Sequence, residues 1–137
     1  MATAERRRAV AEALPVRPRD FFVLLVLAGG ELHGYGIMKG VERESRGSVR
    51  LEVGSLYRTL DRLLAAGLIE EAGADAAAVA VKGATAATAH TALDSERRRP
   101  YRLTSFGSSV MRAEAERLQE VVRMVQAKGL LGGAGEP

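Results

Sequence analysis

The sequence predicts a mainly α fold of the α+β class: three helices, a pair of strands and one long terminal helix. Three observations predict it. Leu56, Leu60, Leu63 and Leu64 recur at helical spacing. Two short segments of strand character, residues 68–71 and 101–103, flank a long stretch rich in alanine and threonine. Behind a Thr cap, Met111, Ala115, Leu118, Val122 and Val125 then recur at alternating four- and three-residue steps. At 137 residues, 47% hydrophobic and 27% charged, the chain suits one small folded domain with an accessory helix.

Residues 2–14 form the first expected helix, with a thin apolar face of Ala9, Val10, Ala13 and Leu14. Arg6, Arg7 and Arg8 near its start oppose the helix dipole, so it needs a partner surface. Pro15 and Pro18 interrupt it, and Pro18 fits the first turn of the next helix. The run from Phe21 to Leu27 is apolar on all sides, as in a helix buried on most sides, and Gly29-Gly30 stop it. A third helix opens at His33-Gly34-Tyr35-Gly36 and runs to about Ser45. Ile37, Met38 and Val41 face inward, and Tyr35, Lys39, Glu42 and Arg46 face outward. Gly47 closes it.

The helix that follows has two unlike faces. Its leucines must meet a core, while Ser55, Tyr57, Arg58, Thr59 and Arg62 make a stripe of hydroxyls and guanidiniums almost without carboxylate. A helix held by one face and cationic on the other suits the groove of a polyanion such as DNA. Arg58 is the first candidate for a base-edge contact, because guanidinium matches the O6/N7 edge of guanine. Arg62 lies one turn on, with Asp61 and Glu42 as alternative partners. Tyr57 has two readings: a full member of the stripe, or a core ring beside Leu60 that offers only its hydroxyl to phosphate. Tyr35 and Lys39 are candidate phosphate contacts. Gly67 ends the helix where the chain must turn left-handed.

Residues 68–71 and 101–103 then form two strands, with Tyr101 and Leu103 on one side and Arg102 on the other. Between them, residues 74–95 read as a long flexible loop, with a basic tip at Arg97, Arg98 and Arg99. Pro100 cannot donate to a ladder and must sit at a strand start or edge. Thr104 caps the last helix, whose row Met111, Ala115, Leu118, Val122 and Val125 forms a seam for another helix of its kind. The alternative is that the seam packs on Ala9, Val10 and Leu14 of the same chain. Gly129 marks its end. The chain thus divides into residues 1–17 (accessory helix and linker), 18–103 (central domain) and 104–137 (long helix and frayed tail).

Composition narrows the chemistry. The net charge is +3 and the isoelectric point about 9.7, which permits a polyanionic partner without requiring one. The absence of cysteine excludes disulfides and thiolate chemistry. His33 reads as a packing or helix-start residue and His90 has no assigned role. No metal or nucleotide motif and no catalytic arrangement of credible spacing is present, so cofactors and enzymatic activity are argued against. No signal peptide is visible and no apolar run reaches the ~20 residues of a membrane span. The expected location is cytoplasmic.

The order of helix, helix, leucine/arginine helix, strand, loop and strand is that of a winged helix-turn-helix with a two-stranded wing. The residues resemble the PadR-type transcriptional regulators. The matching pieces are Leu32-His33-Gly34-Tyr35 with Ile37, Gly54-Ser55-Leu56-Tyr57 with Leu60, Arg62 and Leu63, and Gly67-Leu68-Ile69-Glu70. Glu96-Arg97-Arg98-Arg99 and Tyr101-Arg102-Leu103-Thr104 with Gly107 complete the set. The resemblance implies a homodimer, paired through the last helix, that binds double-stranded DNA at an inverted repeat and usually represses. Two-fold symmetry sets half-sites roughly 10 base pairs apart. For some members it also implies a small apolar or aromatic effector, with Phe21, Phe22, Leu25, Met111 and Leu118 as the candidate pocket; the alternative is that these are ordinary core and seam residues. The rival reading is a winged-helix module that binds a protein. It would expose apolar or aromatic anchors, which the Ser55/Arg58/Thr59/Arg62 stripe lacks.

Overall fold

A computed structural model describes residues 2–72 and 99–132. The loop read at residues 74–95, His90, Arg97 and Arg98 lie outside the described residues, as does the end of the expected frayed tail.

Helix α1 spans Ala2–Glu12. It finds its partner surface on the last helix, α5 (Ser105–Ala127). The Arg6 guanidinium donates to Oγ of both Ser105 and Ser109 at 3.1 Å, while Val10, Ala13 and Leu14 pack against the core. Helix α2 spans Pro18–Leu27 with proline in its first turn. It is buried on most sides. Val23, Leu24, Val26 and Leu27 are buried, and Phe21, Phe22 and Leu25 are half-buried.

Strand β1, Leu32–His33, leaves no mark in the sequence pattern, since two residues cannot show alternation. It runs straight into α3, Gly34–Glu44, so His33 is both strand end and helix cap. Gly40 of α3 leaves the space that Val26 of α2 fills: a Cβ there would lie 2.6 Å from Val26 Cγ1. Ser45 then holds the turn, donating to the Val49 carbonyl at 3.1 Å and accepting the Val49 N–H at 2.9 Å.

Helix α4, Val53–Ala65, buries Leu56, Leu60 and Leu63. Each leucine contributes roughly 1.5–3 kcal/mol by leaving water. Gly67 ends the helix with φ of 75°. The N–H of Leu68 then reaches the Leu63 carbonyl, and that of Gly67 the Leu64 carbonyl, both at 3.0 Å, which satisfies the last carbonyls of the helix.

Strands β2 (Ile69–Glu71) and β3 (Pro100–Leu103) pair antiparallel, with Ile69 opposite Leu103 and Glu70 opposite Arg102. Strand β1 adds on the other side of β3, Leu32 facing Tyr101 and His33 facing Pro100. The sheet therefore has three strands in the order β1-β3-β2, one more than expected. Pro100 begins β3, as its missing N–H requires.

Thr104 caps α5. Its Oγ1 accepts the Gly107 N–H at 2.9 Å and donates to the Gly67 carbonyl at 2.6 Å. A side chain at Gly107 would collide with the Leu68 carbonyl oxygen, so glycine lets α5 start hard against the end of α4. One core results: Leu24 from α2, Ile37 from α3, Leu56 and Leu60 from α4, Ile69 from β2 and Val110 from α5.

Candidate nucleic-acid interface

The second helix of the helix-turn-helix pair is α4. Its start is braced by Ser55, whose Oγ accepts the Glu52 N–H and donates to the Glu52 carbonyl, both at 3.0 Å. The Ser55 hydroxyl is thus committed to the backbone and half-buried. Arg58 follows one turn on, exposed, and among the described residues it makes no ion pair. Tyr57 is half-buried against the core. Its hydroxyl lies over the Cα of Gly34, where a Cβ would stand 2.7 Å from it, so the ring locks the start of α3 to α4. On α3, Tyr35 is 69% exposed, and Lys39 Nζ sits 5.5 Å from its ring centroid. That cation–π contact gathers the two side chains on one face.

The other members of the expected stripe are placed differently. Thr59 is 2% exposed and belongs to the core. At i+3 from Leu56 and i+4 from Ser55 it lies between the two faces, and its methyl and small volume allow burial. Arg62 pairs with neither Asp61 nor Glu42. Its Nη1 donates to Asp20 Oδ2 on α2 at 2.7 Å, while Glu42 pairs with Arg50 at 3.2 Å.

Carboxylates also claim the arginines of the wing. Arg99 Nη1 donates to Glu71 Oε2 at 2.8 Å, with only 17% of the Arg99 side chain exposed. It is a strut at the base of the wing rather than part of a free basic tip. Arg102 Nε donates to Glu70 Oε2 at 2.6 Å across the strand pair, and Glu31 lies 3.7 Å from its Nη1. That hydrogen bond, with the charges of Glu70 and Glu31, holds the Arg102 pKa above its ordinary value. The Glu70–Arg102 pair could be found from sequence once the register of β2 and β3 is set. Nothing in the sequence marks Asp20 or Glu71.

Helix α5 divides into two parts. Met111 packs against the core and so drops out of the expected seam. Val110 and Glu114 are buried beside it. Beyond them the apolar side chains are largely uncovered by the described residues: Ala115 is exposed, Leu118 and Val122 are 38% and 43% exposed, and Val125 is half-buried. Val121 and Met124 widen the exposed row. Helix α1 covers only the first part of α5, so it does not occupy this surface.

The residues grouped as an effector pocket fall into separate places. Phe21 and Phe22 meet edge to face, ring centroids 6.4 Å apart. With Val16, Pro18 and Leu118 they line a cleft of about 620 Å³. Leu25 lines another, beside Gly29 and Leu32, and Met111 lines neither. Glu114 and Arg117 close the first cleft on the α5 side. Arg117 donates to both oxygens of Glu114 at 2.8 and 2.7 Å. Those bonds lower the Glu114 pKa, burial opposes them, and the Val16 N–H reinforces them.

Among the described residues, no group of three histidine, cysteine or acidic side chains could hold a metal ion, and no helix is long and apolar enough to cross a membrane. No curated protein matches the chain. Solved structures share its fold. A transcriptional regulator from Clostridium thermocellum aligns with a TM-score of 0.56 at 20% identity, covering 79% of this chain and 89% of that one. A PadR family transcription regulator from Clostridium difficile R20291 aligns with a TM-score of 0.57 at 19% identity, covering 81% and 97%. The family model described as "Transcriptional regulator PadR-like family" matches residues 23–82, the segment that holds the second half of α2, the helix-turn-helix pair and the start of the wing. The matched family is described as one of transcriptional regulators. Through this segment the chain resembles the PadR-like transcriptional regulators.

Proposed function

We propose that the chain is a sequence-specific repressor that binds an inverted-repeat operator in double-stranded DNA as a homodimer. The observation that carries this reading is Arg58. It is exposed on the helix that a winged helix-turn-helix inserts into the major groove. It also keeps its charge uncommitted among the described residues, while Arg62, Arg99 and Arg102 are each held by a carboxylate. Tyr35 and Lys39 on α3 stand ready for backbone phosphates, which fix register without reading sequence. Arg97 and Arg98 are assigned to the same role from the wing.

The exposed row Leu118, Val121, Val122 and Met124 supports the homodimer. A contiguous apolar strip on a helix needs a cover, and a second copy of the same helix supplies a matching one. The cleft beside Phe21, Phe22 and Leu118 is the place we assign to a small apolar effector. It adjoins the proposed dimer surface through Leu118.

Selection of bound sequences from a random duplex pool, with purified protein at near-physiological salt, tests the reading. The expected result is one inverted repeat with half-sites roughly 10 base pairs apart, centre to centre. Weak binding without a motif, falling steeply with salt, would overturn it and favour the protein-binding module.

A further inference from the structure

Asp20 lies in the first turn of α2, just ahead of the apolar run from Phe21 to Leu27. It is 8% exposed. A carboxylate in such a place is costly to desolvate unless a partner meets it. One oxygen, Oδ2, accepts Arg62 Nη1 at 2.7 Å, and the other, Oδ1, has no hydrogen-bond partner among the described residues. The pair is therefore a single directional link, and it joins two elements that matter. Arg62 stands in the last turn of α4, one helical turn beyond Arg58 and on the same side of the helix.

The remaining attachments of α4 are mostly apolar. Leu56, Leu60 and Leu63 hold one face in the core, and burial of this kind resists removal of the helix more than a small roll about its axis. A short charge-assisted hydrogen bond to a neighbouring helix does resist roll. It also takes Arg62 out of the free positive charge on that side.

We infer that Asp20 is a positioning residue for DNA reading. Through Arg62 it sets the roll of α4 against α2, and so the direction in which Arg58 enters the groove. Arg62 is then a strut and not a phosphate ligand. This inference rests on the DNA-binding reading above and adds a residue, Asp20, that never touches DNA.

The test compares Asp20→Asn, Arg62→Gln and the double variant with the native protein. Affinity is measured for the selected operator and for random duplex over a range of salt, with thermal unfolding followed by circular dichroism. A strut predicts that each single change lowers the ratio of specific to random affinity by fivefold or more. The double variant falls no further than the worse single, and the slope of log affinity against log salt does not change. A phosphate ligand predicts otherwise: Arg62→Gln lowers that slope by about one, and Asp20→Asn leaves operator binding intact or strengthens it. That result would overturn the inference, as would Asp20→Asn losing thermal stability with its specificity ratio unchanged. Should Asp20→Asn unfold, Asp20→Glu keeps the charge and displaces it by one methylene. Lost specificity at an unchanged salt slope supports the strut, and full specificity overturns it. A native protein with no preferred sequence overturns the DNA-binding reading itself, whereas a native protein with a preferred sequence and an indifferent Asp20 overturns this inference alone.

Discussion

Arg58 and Arg62 are one turn apart on α4, yet one is free and the other is held by Asp20. Position alone therefore does not make an arginine a reader; the uncommitted one is the candidate. Arg58→Ala should weaken binding to the preferred operator by roughly 1–3 kcal/mol and relax the choice of base at one position. Arg98→Ala should instead weaken binding to all sequences alike and lower the salt slope by about one. Repeating the selection with Arg58→Ala checks this, and an unchanged motif would show that another residue reads the base. Glu114 carries a pH dependence. Arg117 lowers its pKa below the ordinary 4.5, so folding gains stability at pH values above that of the unfolded carboxyl and loses it as acid protonates the folded one. Glu114→Gln should cost roughly 1–3 kcal/mol near neutrality. Its melting temperature should also fall less than that of the native chain between about pH 5 and pH 3. Parallel acid limbs for the two proteins would remove Glu114 from the account. The sequence shows Arg58 as a candidate because its spacing from the leucines fixes its side of the helix. It hides Thr59 in the core, since a hydroxyl with a methyl is legible either as polar surface or as a small buried residue.

Each element owes its limits to a few local devices. Gly67 lets α4 end in a left-handed turn, and Thr104 both caps α5 and ties its start to the Gly67 carbonyl. Thr104→Ala should cost about 1 kcal/mol for the cap alone, with a further loss for the tie to Gly67. Thr104→Ser keeps both bonds and should retain most of the stability. Denaturant midpoints separate these cases, and equal midpoints for the two variants would mean that the hydroxyl does nothing. These devices are legible because caps and turns are fixed by single residue types at fixed offsets. Strand β1 is not, for Leu32 and His33 become a strand only because β3 lies beside them. The same holds for Arg99. Three consecutive arginines read as a basic tip until Glu71, 28 residues away in sequence, meets one of them.

On the scale of the whole molecule, α5 has two duties. Up to Glu114 it closes the core of its own chain, and beyond Glu114 its apolar row faces outward. The boundary has a physical cause: among the described residues, α1 packs only against the first turns of α5, and the exposed apolar row beyond Glu114 is left largely uncovered. We expect Leu118→Asp to yield monomers at concentrations where the native chain is dimeric, since two carboxylates would meet in an apolar seam. Sedimentation velocity reads this directly. A variant that stays dimeric would place the dimer surface elsewhere, and a native monomer would remove the proposed symmetry of the operator.

The order of the helices and the two wing strands, the leucine face of α4, the caps and the seven-residue rhythm of α5 were determined by the sequence alone, because each depends on neighbours within a few residues. Which charges remain free was decided only by the tertiary structure. Asp20, Glu70, Glu71 and Glu114 neutralise Arg62, Arg102, Arg99 and Arg117. Three of these four pairs join residues far apart in the chain. An ion pair forms wherever folding brings two charges within about 4 Å, and that distance is set by packing and not by sequence separation.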